Sequence, residues 1–275
     1  MGDLRDLVAH EGANDVAWQD PNLPDHPLTL RSARPRSCDA TSPVLFVHHG
    51  MKRNGADYRD YWLKLVDEAG LLAVVPEFSE AAFPGSQWYN YGNRTDDRHR
   101  QNPRAQWTYG IDGRLFAALR AAGVTQRDSY AAWGHSAGGQ FVHRMVSLGF
   151  TERLALAVSA NAGTYAMPTQ DIDFPYGLGG TDADLPALLR FRLMVMAGTA
   201  DTDTTASDFP KGAHAMAQGP TRYARAHAYL DAGRRQAASL GVPFGWAITD
   251  VPDVGHDGER MSQAAAPPIA AALRG

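Results

Sequence analysis

The chain has 275 residues, of which 44% are hydrophobic and 20% are charged, and this composition is ordinary for a folded, water-soluble protein. Its formal net charge of −4 arises from acidic and basic residues that are mixed along the sequence, which argues against a nucleic-acid-binding protein. No apolar run reaches the length of about 18 residues that a membrane-spanning helix needs, so no membrane span is expected.

Short apolar runs alternate along the chain with longer segments of helical periodicity. Strands are predicted at residues 44–47, 71–75, 129–133, 154–159, 191–197 and 244–251. Helices are predicted at residues 58–69, 111–122, 139–148, 221–240 and 259–273. The alternation predicts an α/β fold with a mostly parallel sheet and helices on both of its faces.

One domain is expected to span residues 1–275, because the sequence has no repeats or clear linkers and α/β folds of this length commonly form one unit. Two segments interrupt the alternation. Residues 77–108 are polar and aromatic, and residues 161–186 are rich in Gly, Pro and Asp. Long irregular segments are more often functional than accidental, so both are expected on the substrate side.

Two features bear on the cellular location. Cys38 is the only cysteine, so the chain cannot form an internal disulfide. Residues 1–6 lack the basic start and apolar stretch of a signal peptide. Both features favour a cytoplasmic location, although a secreted protein that had lost its leader would have the same sequence.

Ser136 lies in a Gly-x-Ser-x-Gly motif between a predicted strand and a predicted helix. In that context the two glycines, Gly134 and Gly138, allow strand and helix to approach closely while the serine occupies a sharp turn. The alternative is a glycine-rich turn in which Ser136 only caps the helix. The flanking elements and the available partners favour Ser136 as a nucleophile.

A serine nucleophile needs a base, and His256 has the best position among the 10 histidines. It follows the last predicted strand on a glycine-rich loop, at the sheet edge where Ser136 is expected. His135 is expected to point away from the site on the sharp turn, and His143 lies within the next predicted helix, where a packed or solvated side chain is the simpler interpretation.

The base needs an acid that fixes its tautomer, and Asp201 follows the strand predicted at 191–197. Asp203 lies two residues further on and remains an alternative acid. The order Ser136, Asp201, His256 is the nucleophile–acid–base order of the Ser-Asp-His enzymes built on strand–turn–helix motifs.

Acyl transfer also needs N–H donors for the oxyanion. The backbone N–H of Ala137 directly follows the nucleophile and is the first candidate. The loop after the strand at 44–47 reads His-His-Gly-Met, and its Met51 N–H is the second candidate. The other interpretation of that loop is a tight turn without a catalytic role.

Residues 48–51, 134–139, 198–201 and 255–256 together resemble the α/β-hydrolase superfamily, and within it the polyhydroxybutyrate-depolymerase-like serine esterases. The resemblance covers most of the chain. It implies an eight-stranded sheet that is largely parallel after its first strands, without a large cap domain. It also implies a two-step acyl-enzyme mechanism that uses neither a cofactor nor a metal.

The aromatic segment offers the main substrate clue. Trp88 and Tyr89 are predicted to line the substrate pocket, and Tyr165, which follows the strand at 154–159, is predicted to border it. A packed aromatic loop is an equally good interpretation of residues 77–108.

The sequence therefore predicts a carboxylic ester hydrolase that acts on a small or polymeric ester, for example an aryl ester or a polyester. An amidase or peptidase would use the same residues, and a non-catalytic binding protein on the same fold is the other alternative. The sequence leaves the oligomeric state open.

Overall fold

Aliphatic strands that are buried on both faces form the centre of a single sheet, as expected where helices cover a parallel sheet. The computed structural model describes residues 2–274, and within them the strand order is β1-β2-β4-β3-β5-β6-β7-β8. The strands are β1 (Gly12–Gln19), β2 (Pro27–Arg34), β3 (Val44–His48), β4 (Leu72–Glu77), β5 (Tyr130–His135), β6 (Leu154–Ala160), β7 (Leu193–Gly198) and β8 (Trp246–Val251). β2 is antiparallel to both β1 and β4, and β3 to β8 are parallel. The predicted α/β-hydrolase fold is confirmed.

Helices cover both faces of this sheet. They are α1 (Gly55–Leu63), α2 (Val66–Ala69), α3 (Gly85–Trp88), α4 (Ile111–Ala121), α5 (Ala137–Ser147), α6 (Leu185–Arg190), α7 (Ala213–Gln218), α8 (Arg222–Leu240) and α9 (Gly258–Arg274). The apolar side chains of α1, α2 and α9 pack on one face, and those of α4, α5 and α8 pack on the other. None of the helices in the described part of the chain has the length and apolar character needed to cross a bilayer.

The sequence-based boundaries hold for most elements and fail at two places. The helix predicted at 58–69 is two helices, because α1 ends at Leu63 and the chain turns before α2 begins at Val66. The two N-terminal strands were not located by the sequence patterns. β1 alternates buried and exposed residues because one of its faces meets solvent, whereas the central strands are buried throughout. The segment between β6 and α6 forms turns and bends and no helical cap.

Candidate active site

The turn between β5 and α5 holds Ser136 in a strained conformation, with φ 58° and ψ −117°. Residues other than glycine rarely adopt a positive φ, and such outliers cluster at functional sites. The turn is tight because its glycines leave no room for side chains. A Cβ on Gly134 would lie 2.2 Å from the Gly138 oxygen, and one on Gly138 would lie 2.1 Å from the His48 oxygen. The motif therefore presents Ser136 at the carboxyl edge of the central strands.

Three side chains from separate loops form one hydrogen-bonded chain. Ser136 Oγ lies 2.9 Å from His256 Nε2, and His256 Nδ1 lies 2.8 Å from Asp201 Oδ2. Because a carboxylate only accepts hydrogen bonds, Nδ1 carries the proton, and Nε2 is free to accept the Ser136 hydroxyl proton. The Asp201 side chain is buried, and that of His256 is 23% exposed.

Asp203 is not part of this chain of hydrogen bonds. It is exposed, and its Oδ1 accepts hydrogen bonds of 2.7 Å from both the hydroxyl and the N–H of Thr205. The hydroxyl bond and then the N–H bond lower the pKa of Asp203. Asp201, in contrast, has the Arg222 guanidinium 3.6 Å from its second oxygen. The geometry selects Asp201 over Asp203 as the partner of His256.

A buried asparagine, which no sequence motif indicated, joins the loop that carries Asp201 to the loop that carries His256. Asn161 follows β6 with φ 45°, donates to the Gly255 oxygen at 2.9 Å and accepts from the Gly198 N–H at 2.8 Å. The Ala200 N–H also donates a backbone hydrogen bond of 3.0 Å to the Val254 oxygen. The available signal was an asparagine directly after a strand, since asparagine tolerates a positive φ better than most residues.

His49 orients the loop after β3. It is fully buried and accepts a 3.0 Å hydrogen bond from the Phe78 N–H at Nε2, so its proton lies on Nδ1, 3.0 Å from the Gly50 oxygen. Burial lowers the pKa of His49 to about 3, and the imidazole is therefore neutral. In a trans peptide the N–H points opposite to the carbonyl, so the Met51 N–H points away from His49.

The Gly50–Met51 peptide lies beside Ser136. A Cβ placed on Gly50 would be 3.7 Å from the Cβ of Ser136. Ala137 is the first residue of α5, so its N–H has no acceptor within the helix. Met51 itself is 40% exposed. Within residues 2–274, neither the Met51 N–H nor the Ala137 N–H donates a hydrogen bond to the backbone, and both belong to segments next to Ser136.

His135 packs against His256. Its ring centroid lies 4.7 Å from that of His256, and its Nδ1 lies 2.9 Å from the Tyr58 hydroxyl. Burial, and then the neighbouring His256 and Arg222, hold the pKa of His135 well below its usual range. The expectation that His135 points away from the site is wrong, because it forms the wall against which His256 is held.

The predicted aromatic pocket is largely wrong. Tyr89 is fully buried, donates a 2.6 Å hydrogen bond to the His49 oxygen and packs on Phe141. Tyr165 is also fully buried and stacks on Tyr229, with the ring centroids 4.6 Å apart. Both rings turn inward because each finds aromatic neighbours in the core. Trp88 is half-buried against His26, and its contact with substrate stays a prediction.

Comparison with known proteins agrees with this architecture. A poly(3-hydroxybutyrate) depolymerase from Bordetella parapertussis is 40% identical with a TM-score of 0.90, over 94% of this chain and 89% of that one. A poly(aspartic acid) hydrolase from Sphingomonas sp. KT-1 is 37% identical with a TM-score of 0.90, over 94% of this chain and 98% of that one. An S-formylglutathione hydrolase from Agrobacterium tumefaciens, 16% identical with a TM-score of 0.65 over 96% of this chain and 97% of that one, shares the fold.

A scan against models of protein families and a search of curated proteins found no match. The two similar structures at 40% and 37% identity nevertheless extend over almost the whole chain. This chain belongs to the polyhydroxybutyrate-depolymerase-like branch of the α/β-hydrolase superfamily, and it is a hydrolase.

Proposed function

We propose that the chain is a serine hydrolase that cleaves carboxylic esters through an acyl-enzyme intermediate. Ser136 is the nucleophile, His256 the general base and acid, and Asp201 the carboxylate that orients His256. The observation that carries this proposal is the pair of hydrogen bonds, 2.9 Å and 2.8 Å long, that joins the three side chains in the required order. The strained backbone at Ser136 supports it, because that strain exposes the hydroxyl at the sheet edge.

Acylation begins when Ser136 Oγ attacks the ester carbonyl carbon. The hydroxyl proton passes to His256 Nε2, and the electron pair of the carbonyl moves onto its oxygen. The resulting imidazolium is stabilised by the buried Asp201 carboxylate. The oxyanion takes hydrogen bonds from the N–H groups of Met51 and Ala137, which are preorganised donors of the kind that contributes most to acyl transfer.

The tetrahedral intermediate then collapses. The bond between the carbonyl carbon and the alcohol oxygen breaks, and His256 gives its proton to the departing alkoxide. Water attacks the acyl-enzyme with His256 as base, and a second collapse releases the acid and restores the Ser136 hydroxyl. Each proton that His256 accepts is passed to the departing alkoxide or back to Ser136, so both residues return to their starting protonation states.

The decisive experiment combines turnover with covalent labelling. Ser136→Ala is expected to lower kcat on 4-nitrophenyl butyrate by about 10⁵-fold and to abolish labelling by a fluorophosphonate probe. Ser239→Ala, at an exposed position on α8, serves as the matched control and should retain full activity. Full activity of Ser136→Ala would disprove the nucleophile. Absence of labelling and turnover in the unmodified protein would favour the non-catalytic binding protein.

A polyester is the substrate type that the similarity to a poly(3-hydroxybutyrate) depolymerase favours. The expected result is release of soluble hydroxyacid from suspended polymer by the unmodified protein and none by Ser136→Ala. A protein that hydrolyses 4-nitrophenyl butyrate but leaves the polymer intact would be an esterase for small substrates.

Amide hydrolysis is the second candidate, because the other similar structure is a poly(aspartic acid) hydrolase and polymers of amino acids are joined by amide bonds. The same three residues serve both reactions. Butyric acid 4-nitroanilide and 4-nitrophenyl butyrate share the acyl group and differ only in the leaving group. A kcat/KM ratio that favours the ester by several orders of magnitude supports the esterase, and comparable values support the amidase.

A further inference from the structure

A buried arginine lies about two helical turns beyond Ser136 on α5. Its charge has no carboxylate partner in the described part of the chain. Arg144 on α5 is fully buried. Its Nη1 donates to Gln140 Oε1 at 2.8 Å and to the Asn90 oxygen at 3.1 Å, and its Nη2 donates to Thr164 Oγ1 at 3.1 Å and to the Pro175 oxygen at 3.2 Å. All four acceptors are neutral. A guanidinium remains protonated even when buried, so a full positive charge lies next to the Gln140 amide.

The amide of Gln140 has only one possible orientation. Its Oε1 accepts from Arg144 Nη1 at 2.8 Å, Thr164 Oγ1 at 3.1 Å and Asn90 Nδ2 at 3.2 Å. Because a guanidinium can only donate, the atom facing Arg144 must be oxygen, and Nε2 faces the opposite way. Within residues 2–274, Gln140 Nε2 has no hydrogen-bond acceptor, and Gln140 retains 9% of its surface exposed.

The position of Gln140 brings that free N–H group to the cleft. Gln140 follows Ser136 by one turn of α5, and its backbone N–H donates to the Ser136 oxygen at 3.0 Å. Side chains on a helix lean toward its N-terminus, so the Gln140 amide leans toward Ser136. A Cβ on Gly163 would lie 3.1 Å from Gln140 Nε2, so only the backbone of a glycine, and no side chain, lies next to the amide on that side.

A second buried arginine lies behind the wall that Gln140, Gly163 and Pro210 form. Arg225 is also fully buried, and it donates to the Gly163 oxygen at 2.7 Å and the Pro210 oxygen at 2.9 Å. It too forms no ion pair with a carboxylate in residues 2–274, whereas its neighbour Arg222 pairs with Asp201 and Asp208. Arg144 and Arg225 therefore place two charges without carboxylate partners behind the wall formed by Gln140, Gly163 and Pro210, in a region of low dielectric.

We propose that Gln140 is a specificity-determining residue that donates its Nε2–H to an oxygen of the substrate chain beyond the scissile ester, and that Arg144 is the residue that positions it. The ligand is a second carbonyl or a carboxylate on the substrate, because both accept a hydrogen bond and both gain from the positive charges behind the wall. The assignment rests on the proposed esterase function of Ser136.

Three 4-nitrophenyl esters test it. The butyrate has no second oxygen, the 3-acetoxybutyrate carries a neutral second carbonyl, and the hydrogen adipate carries a carboxylate. The unmodified protein should show higher kcat/KM on the two oxygen-bearing esters than on the butyrate. Gln140→Glu keeps an oxygen for Arg144, Thr164 and Asn90 to donate to, but replaces the free N–H group by a second acceptor.

For Gln140→Glu we expect kcat/KM on the oxygen-bearing esters to fall by about 10- to 100-fold relative to the butyrate, most for the adipate, because a donor is lost and a like charge is added. Gln263→Glu on α9 makes the same chemical change at an exposed site away from the cleft and should leave the three-ester pattern unchanged. An equal loss on all three esters, or no preference in the unmodified protein, would overturn the role of Gln140.

The positioning role of Arg144 is tested by Arg144→Lys, which keeps the charge but loses the two-pronged donor. The expected signature is a rise in KM for the oxygen-bearing esters with kcat little changed. A uniform change in kcat on all esters would show that Arg144 has only a structural role. If the unmodified protein hydrolyses none of the three esters, the esterase proposal itself fails, and this result is distinct from the selective losses above.

Discussion

Two regions of this molecule follow the carboxyl ends of sheet strands, and they direct their side chains in opposite ways. The loops after β5, β7 and β8 turn Ser136, Asp201 and His256 toward one another and leave the base part-exposed. The segment that follows β4 turns its rings inward, and its large side chains Phe78, Phe83, Tyr89, Trp107 and Tyr109 are at most 1% exposed. The first region forms the site, and the second supports it from below.

The difference lies in what determines the direction of each side chain. At the strand ends, backbone geometry and glycines without room for a Cβ force the direction, so a polar side chain stays at the cleft. In the aromatic segment the free energy of burying each ring is the dominant influence on the direction of the ring. An aromatic ring is therefore buried in the core unless the backbone geometry directs it outward.

The largest expected effect separates the two aspartates of the first region. Asp201→Asn should lower kcat by about 10⁴-fold, because an amide can hold His256 in the wrong tautomer. Asp203→Asn is the matched control and should leave kcat within a factor of about 2, since Asp203 only caps a turn at Thr205. Steady-state kinetics on 4-nitrophenyl butyrate measures both. Equal losses would mean that the acid loop acts as a unit.

Substitutions in the second region are expected to lower the stability of the fold. Tyr89→Ala is expected to lower the free energy of unfolding by about 3–5 kcal/mol, because it removes a fully buried ring from the layer beneath the cleft. Tyr89→Phe keeps the ring and loses only the hydrogen bond to the His49 oxygen, so a loss of about 1 kcal/mol is expected. Urea unfolding gives both values. If Tyr89→Ala had unchanged stability but altered kcat/KM, this would indicate that Tyr89 contacts the substrate.

Acid should destabilise the protein through its buried histidines. Burial lowers the pKa of His49 to about 3 and holds the pKa values of His135 and His143 well below the usual range. Between the unfolded pKa of about 6.5 and the lower folded values, the unfolded chain binds more protons, so stability falls as the pH falls. Each histidine contributes a slope of about 1.4 kcal/mol per pH unit in that window.

His143→Gln checks this slope, since glutamine retains a donor and an acceptor but takes up no proton. Urea unfolding from pH 4 to pH 6 should show a slope that is smaller by about 1.4 kcal/mol per pH unit than that of the unmodified protein. An unchanged slope would mean that His143 is protonated in the folded protein.

The smallest expected effect concerns Trp88, at the boundary of the second region. It is half-buried and stacks on His26, with the ring centroids 4.1 Å apart. Trp88→Ala should change kcat/KM on small esters by less than about 3-fold while lowering stability modestly, because the ring packs on the protein. A large loss in kcat/KM on every ester would show that the cleft extends to α3.

The accuracy with which the sequence predicts a residue's position depends on how strongly the backbone constrains that residue. Ser136, Asp201 and His256 were found because each follows a recognisable strand, and parallel strands bring their carboxyl ends to one edge. Asn161 and His135 were missed because their roles depend on distant partners, Gly255 and Tyr58. The inward direction of Tyr89 and Tyr165 depends on neighbouring rings from other elements, which no local pattern records.

The ties between the acid loop and the base loop have an evolutionary consequence. They use the main chain of Gly198, Ala200 and Val254, so most side-chain replacements on the outer surface of these loops leave Asp201 and His256 in place. The wall that includes Gly163 carries none of the three, and single replacements there can alter which molecules fit. A lineage built on this chain can therefore change the molecules it accepts in small steps and still inherit the arrangement of Ser136, Asp201 and His256.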